Sequence, residues 1–249
     1  MRNDPILVLS QPRSGSTLVQ RLLNASQGVS IMGEHGGALH KIAYAYTQFT
    51  EPFVVSNYKY DMPEQELRSS VKLKDDFVVA TCGGVRTDRI KDLTRGFFQA
   101  IGNPLDDPEV RWGFKEVVTV DVGKVALELF PRCKIVCTVR DPVDCISSIV
   151  RTGWWGRDLE WIISDLWLNK FRDFYDLQSR HRERVSVVRY ESMAGTLPGL
   201  FQWLGLDWTQ DHSNVLNSPH VGHGEGAGCD PLSDDELSRV ADSCSCYYR

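Results

Sequence analysis

The sequence predicts an α/β fold of three layers, α/β/α, with a central parallel sheet. Short apolar runs rich in β-branched residues alternate with helical patterns, and the runs are continuous rather than alternating, as in strands buried on both faces. The predicted strands are Ile6–Leu9, Phe77–Ala80, Lys134–Val139 and Val185–Val188. The predicted helices are Thr17–Asn24, Ile90–Ile101, Val120–Leu129, Val143–Arg151, Leu159–Ser179 and Met193–Leu204. Strands that alternate with helices form βαβ units, which generate a doubly wound sheet.

The composition predicts one ordinary globular domain spanning residues 1–249, with 42% hydrophobic and 24% charged residues. The formal net charge of -5 provides no overall basic field for nucleic acid or an anionic membrane surface. No apolar stretch approaches the roughly 18 residues of a membrane-spanning helix. The N-terminal MRNDPILVLS lacks the pattern of a signal peptide. We therefore expect a cytoplasmic protein without membrane or nucleic-acid partners.

The cysteines agree with that expectation, because their number, seven, is odd and no CxxC pair occurs. Cys133, Cys137 and Cys145 lie in apolar surroundings and are predicted to pack as small hydrophobic side chains. Cys244 and Cys246 form a CSC sequence without identifiable further ligands, so no metal site is predicted there.

A small polar loop lies between the first predicted strand and the first predicted helix. Arg13 offers a guanidinium fork, Gly15 permits close backbone approach, and Ser14, Ser16 and Thr17 offer hydroxyl groups. Because a helix N-terminus presents free amides and a positive dipole end, this arrangement predicts an anion site. The alternative is a plain strand-to-helix turn with a serine cap.

This loop differs from the phosphate-binding GxxxxGK[ST] loop of nucleotide hydrolases. Aligned on Gly15, Ser10 replaces the first glycine and Ser16 replaces the lysine. The missing lysine disfavours a kinase or ATPase, although the anion-binding geometry is retained.

A second anion element follows the strand Lys134–Val139. Arg140 stands at its carboxyl end, the edge at which open α/β sheets bind ligands. Pro142 opens a helix, on which Asp144 and Ser148 are four residues apart and share a face. Arg140 and Ser148 could hold a second phosphate; an Arg140 salt bridge beside a helix cap is the alternative.

Together the two elements resemble those of sulfotransferases that use 3′-phosphoadenosine-5′-phosphosulfate (PAPS), particularly the bacterial and tyrosylprotein branches. In that family PxSGTT binds the 5′-phosphosulfate, and here it reads Pro12–Thr17. R-x-P-x-D-x-x-x-S binds the 3′-phosphate, and here it runs from Arg140 to Ser148. The segment VVRYESM resembles the family's V-x-Y-E-x-L, which implies that Tyr190 lies near the adenine. The resemblance implies a P-loop-NTPase-like fold.

The resemblance also implies the catalytic groups. Glu34 in MGEHGG matches the glutamate that serves as general base in tyrosylprotein sulfotransferases, and His35 is the second candidate. Lys115 in RWGFKE matches a lysine that contacts the bridging region of the cofactor. Leu18 stands among the cofactor-binding residues, where many cytosolic members carry tryptophan.

The implied reaction is in-line transfer of a sulfuryl group from PAPS to a hydroxyl or amine, most simply of a small molecule. Positioning and charge stabilisation supply the catalysis, through Arg13, Lys115 and the loop hydroxyls and amides, so no metal is required. A P-loop nucleotide kinase or NTPase and a non-catalytic nucleotide-binding protein are the alternatives. The oligomeric state, the roles of Trp154 and Trp155, and closure of a glycine-rich loop with His220 and His223 stay open.

Overall fold

A computed structural model describes residues 4–50, 60, 61, 65, 84–117, 119–218 and 230–248. The predicted strand Phe77–Ala80 and the glycine-rich loop beyond Ser218, with His220 and His223, lie outside the described residues.

Five parallel strands form the central sheet, and a short parallel pair lies apart from it. The strands in chain order are β1 (Ile6–Ser10), β2 (Val29–Met32), β3 (Tyr60–Asp61), β4 (Gly84–Val85), β5 (Arg111–Val117), β6 (Lys134–Val139) and β7 (Val185–Arg189). The central order is β2-β5-β1-β6-β7, and β3 pairs with β4. All carboxyl ends of the central strands therefore meet at one edge of the sheet.

Ten α-helices occur among the described residues. They are α1 (Ser16–Asn24), α2 (Ala38–Thr50), α3 (Thr87–Gly102), α4 (Val120–Leu129), α5 (Pro142–Thr152), α6 (Leu159–Trp161), α7 (Asn169–Arg180), α8 (Met193–Leu204), α9 (Gln210–Asn217) and α10 (Asp234–Cys244). A π-helical segment, Ile162–Leu168, joins α6 to α7, and a 3₁₀ turn, Tyr190–Ser192, precedes α8.

The side chains of β1 divide the core into two layers, because successive residues of a strand point to opposite faces. Leu7 and Leu9 pack in a larger cluster with residues of α2 to α7 and α10. Ile6 and Val8 pack in a smaller cluster with residues of α1, α8 and α9. The predicted α/β/α architecture with a parallel sheet is confirmed.

Most described predictions of secondary structure are confirmed, but several elements were not predicted, among them β5, α2 and α9. The strand β5 is buried, yet Lys115 and Glu116 interrupt its apolar character, so its sequence lacks the signal of a covered strand. The predicted helix Leu159–Ser179 contains the π-helical segment Ile162–Leu168, which a search for 3.6-residue periodicity does not distinguish.

The predicted apolar packing of the cysteines is confirmed for Cys133, Cys137 and Cys145, which are free and buried. Burial raises the pKa of each of these thiols, which keeps them protonated. Among the described residues, no helix has both the length and the apolarity needed to cross a membrane.

We expect Gly113→Ala to destabilise the protein by about 3 kcal/mol or more, because a methyl group there would overlap the carbonyl oxygen of Ile6 on the paired strand β1. Gly199→Ala in α8 is the control, since its Cβ would meet open space, and we expect a gain of about 0.5–1 kcal/mol. Urea unfolding of both variants checks the prediction, and equal stabilities would contradict it.

Candidate active site

The loop between β1 and α1 is anchored to strand β6 by the side chain of Ser14. Its buried Oγ lies 2.7 Å from Thr138 Oγ1 and from the Gln11 carbonyl oxygen, and 3.0 Å from the Thr138 carbonyl oxygen. This hydroxyl, predicted as a ligand donor, is therefore engaged within the protein.

Gln11 anchors the start of the loop through a closed set of hydrogen bonds with Trp167 and Arg140. Gln11 Nε2 donates to the Trp167 carbonyl oxygen at 2.8 Å, and Gln11 Oε1 accepts from the Arg140 amide at 3.2 Å. Trp167 Nε1 donates to the Arg140 carbonyl oxygen at 3.0 Å. Trp167 belongs to the π-helical segment, so that segment is bonded to both predicted anion elements.

The N-terminus of α1 is open toward the loop. Gly15 is its N-cap residue, with φ of 90°, and no side chain caps the helix. The Leu18 and Val19 amides donate to the Gly15 carbonyl oxygen, whereas no described backbone oxygen accepts from the Ser16 or Thr17 amide. Free amides at a helix N-terminus attract an anion. A serine cap, the alternative reading of this loop, is not what the structure has.

Arg13 connects the two anion elements. Its backbone is left-handed, with φ of 61°, a conformation that costs a non-glycine residue about 1 kcal/mol or more. Its Nε donates to Ser148 Oγ at 3.0 Å, across 135 residues of sequence. The motifs predicted to bind the two ends of one cofactor therefore lie side by side.

Arg140 is also part of this cluster. Its Nη1 lies 3.4 Å from the Arg13 carbonyl oxygen, and its Nη2 lies 3.3 Å from Asp144 Oδ2. Asp141 caps α5 by accepting from the Val143 and Asp144 amides, so the salt bridge and cap considered as the alternative both occur. The Arg140 Nε, however, is buried without a hydrogen-bond partner in the described part of the chain.

Tyr190 brings the third motif to the same place. The Arg140 guanidinium lies over its ring, 4.7 Å from the centroid. The ring also covers Gly15 so closely that a Cβ at that position would lie 2.5 Å from Tyr190 Cδ2. Glycine is therefore required at position 15 by both the left-handed backbone and the neighbouring ring.

Glu34, Lys115 and Thr17 form the other half of the site. Lys115 extends from β5, is only 6% exposed, and donates from Nζ to Glu34 Oε1. The same Nζ lies 3.5 Å from Thr17 Oγ1. The Glu34 side chain is 50% exposed, so a carboxylate open to an incoming molecule lies beside a buried cation at the N-terminus of α1.

His35 pairs with Glu116, a residue that sequence reasoning missed. Glu116 Oε1 accepts from the His35 backbone amide at 3.0 Å and lies 2.9 Å from His35 Nδ1. Burial raises the pKa of the Glu116 carboxyl group, and the bonds from His35 partly oppose that shift. The two residues are 81 positions apart, so no local motif could have revealed the pair.

Leu18, which was predicted to bind the cofactor, and Trp154 and Trp155, whose roles the sequence left open, have no contact that assigns them to the site. Leu18 packs against the smaller core cluster. Trp154 is 63% exposed, whereas Trp155 packs against the larger cluster with its ring 6.3 Å from that of Trp161.

A cavity of about 940 Å³ lies at the opposite edge of the sheet, at the amino ends of the strands. Its charged lining residues are Asp4, Arg111, Arg132, Lys134, Glu183, Arg184, Asp207 and Asp211. Both signs are represented equally there, and Arg111, Lys134 and Arg184 donate to backbone carbonyl oxygens. The site is assigned instead to the carboxyl edge, where the uncapped helix, the arginines and the Glu34–Lys115 pair converge.

Solved structures with similar folds are sulfotransferases. A sulfotransferase domain from the curacin biosynthetic pathway superposes with a TM-score of 0.54 at 18% identity, over 98% of each chain. The sulfotransferase domain of the Synechococcus PCC 7002 olefin synthase gives 0.51 at 16%, over 98% of this chain and 96% of that one. Mouse sulfotransferase SULT7A1, complexed with PAP, gives 0.55 at 12%, over 100% and 85%. At these identities the likeness establishes the fold.

No curated protein matches the sequence of this chain. The sequence model of the Sulfotransferase family, however, matches residues 5–210, which contain β1 to β7 and every residue of the site described above. The chain belongs to the sulfotransferase family, whose members transfer a sulfuryl group.

Proposed function

We propose that this protein transfers a sulfuryl group from PAPS to a hydroxyl or amine of a small molecule, by in-line displacement with Glu34 as general base. The proposal includes a single domain spanning residues 1–249 and a cytoplasmic location, both predicted from the sequence. The observation that carries it is the hydrogen bond between Arg13 and Ser148, which joins the two phosphate motifs into one site.

The residues present fit a nucleotide with phosphates at two positions. The uncapped amides of α1 and the hydroxyls of Ser16 and Thr17 suit one anion. Arg140, whose buried Nε has no described partner, suits a second anion beside Ser148. Tyr190, with 40% of its surface exposed, offers a ring for stacking. The complex of the mouse relative with PAP agrees with a nucleotide of this kind.

PAPS, when bound, would supply the sulfuryl group and a phosphate leaving group. Arg13 and Lys115 would neutralise the charge that develops between sulfur and phosphate, because both cations flank the N-terminus of α1. Lys115 donates to Glu34 in the structure, so the base and this cation are held within direct contact. The exposed Glu34 carboxylate would take the proton from the acceptor and pass it to solvent.

Calorimetric titration with 3′,5′-adenosine bisphosphate, beside ATP with Mg²⁺, tests the cofactor. We expect tight binding of the bisphosphate and weak binding of ATP. Arg140→Ala should weaken bisphosphate binding by about 10- to 100-fold, since it removes charge-assisted hydrogen bonds to phosphate.

Arg151→Ala is the matched control, because Arg151 is an exposed arginine in the last turn of α5, the helix that begins just after Arg140. The Arg151→Ala variant should bind 3′,5′-adenosine bisphosphate as tightly as the wild type does. Preference for ATP with Mg²⁺ would overturn the proposal in favour of a nucleotide kinase or NTPase, and unchanged affinity of Arg140→Ala would refute the 3′-phosphate assignment.

Glu34→Gln should lower kcat for sulfuryl transfer by about 100-fold or more, because the amide cannot accept the proton. Affinity for the bisphosphate should change by less than about 3-fold, since the base acts on the acceptor. Transfer from ³⁵S-labelled PAPS to a panel of hydroxyl and amine acceptors provides the measurement.

The control for a general effect of charge is Glu183→Gln, which removes an exposed carboxylate at the opposite edge of the sheet. A wild-type protein that binds the bisphosphate yet transfers nothing to any acceptor would indicate a non-catalytic nucleotide-binding protein. Full activity of Glu34→Gln would exclude Glu34 as the base.

A further inference from the structure

The turn that carries Glu34 has little stiffness of its own. It connects β2 to α2 and contains Gly33, Gly36 and Gly37, and the last two have positive φ of 59° and 79°. Glycine restricts the backbone less than any other residue. A general base on such a turn therefore needs contacts from outside the turn to hold its carboxylate at a fixed position beside Lys115 and Thr17.

Glu116 supplies such a contact. A single oxygen, Oε1, receives both the backbone amide and the Nδ1 of His35, at 3.0 and 2.9 Å. Glu116 is 3% exposed and lies on β5, between β2 and β1 in the sheet, so the anchor itself is fixed. The His35 ring also meets Phe114 edge-on, with centroids 6.1 Å apart.

Two consecutive residues of the turn thus pair with two consecutive residues of β5. Glu34 contacts Lys115, and His35 contacts Glu116. Since adjacent residues of a strand point to opposite faces, Lys115 reaches toward Thr17 and α1 while Glu116 lies on the face of Phe114. The contact that fixes the turn is therefore separate from the contacts at the proposed cofactor site.

We propose that Glu116 is a positioning residue for the general base: through His35 it holds the glycine-containing turn on β5 and so keeps Glu34 beside Lys115 and Thr17. This inference rests on the proposed function. Glu116 touches neither the cofactor site nor the acceptor in this scheme and acts through His35 alone.

The position of Glu116 disfavours ionisation of its carboxyl group, unlike the position of a carboxylate in a stabilising ion pair. Burial raises the pKa of its carboxyl group, and the nearby Glu34 acts in the same direction, against the bonds from His35. A raised pKa favours the protonated form in the folded state, so the associated stability is present at acid pH and is lost as the pH rises through the folded pKa.

The variants Glu116→Gln and Glu116→Leu distinguish an effect on the position of Glu34 from an effect on the stability of the fold. Glutamine retains an acceptor oxygen and cannot ionise, so it should melt at or above the wild-type temperature at pH 7, with the difference vanishing below the unfolded pKa of about 4.3. It should also retain most of kcat. Leucine leaves both donors of His35 unpaired and should lower kcat by about 10- to 100-fold through misplacement of the base.

Two measurements on Glu116→Leu and one on His35→Ala identify a positioning effect. Affinity for 3′,5′-adenosine bisphosphate should stay within about 3-fold of wild type, because Lys115 and the loop are unchanged. In a Glu34→Gln background the leucine substitution should cause no further loss, since the base that it misplaces is already absent. His35→Ala, at a partly exposed position that endangers folding less, should show the same non-additivity.

Glu128→Leu is the matched control, because Glu128 is another carboxylate that bonds α2, through Tyr46 at 2.6 Å, and its described partners, Tyr46 and Lys91, lie outside the turn. Its kcat should equal that of the wild type. A wild-type protein without sulfuryl transfer would overturn the proposed function and this inference with it. If the wild type is active, three results would overturn the inference alone. These are an unchanged kcat in Glu116→Leu, a kcat of Glu116→Gln as low as that of Glu116→Leu, or a further loss of kcat when Glu116→Leu is combined with Glu34→Gln.

Discussion

The geometry of the site depends on the buried contact between Ser14 and Thr138, which ties the loop after β1 to strand β6. With this contact in place, the loop turns sharply enough for Gly15 to open α1 in a left-handed conformation. Tyr190 then covers Gly15, and Arg13 extends to Ser148 on α5. A buried hydroxyl pair contributes only about 1 kcal/mol to stability, but here it determines where several charged groups lie.

The fold bears several local costs at this edge of the sheet. Arg13 has a left-handed backbone, the Arg140 Nε is buried without a described partner, and the ionisable carboxyl group of Glu116 is buried. Each feature is unfavourable for folding taken alone. These features lie together at the carboxyl ends of β1, β5 and β6, the same edge of the sheet to which the proposed function assigns the cofactor and the general base.

Sequence reasoning predicted the layered fold and the two phosphate elements, because both depend on short-range patterns. Apolar runs indicate covered strands, and a helix N-terminus after a strand is the pattern from which the anion site was predicted. It missed β5 because the polar residues Lys115 and Glu116, which contact Glu34 and His35, interrupt the apolar signal of a covered strand. It could not find the His35–Glu116 pair or the inward orientation of Ser14, since both arise from the order of strands in the sheet, which no local motif encodes.

The hydrogen bonds among Gln11, Trp167 and Arg140 limit which substitutions the protein can tolerate near Trp167. Trp167 is fully buried and stacks on Phe171, so its position is set by the packing of the π-helical segment and α7. Any drift in that packing moves the peptide of Arg140 and the start of the loop together. Variation that would be neutral in an ordinary helix core is therefore constrained here, so substitutions around Trp167 should be tolerated less well than substitutions at exposed positions such as Trp154.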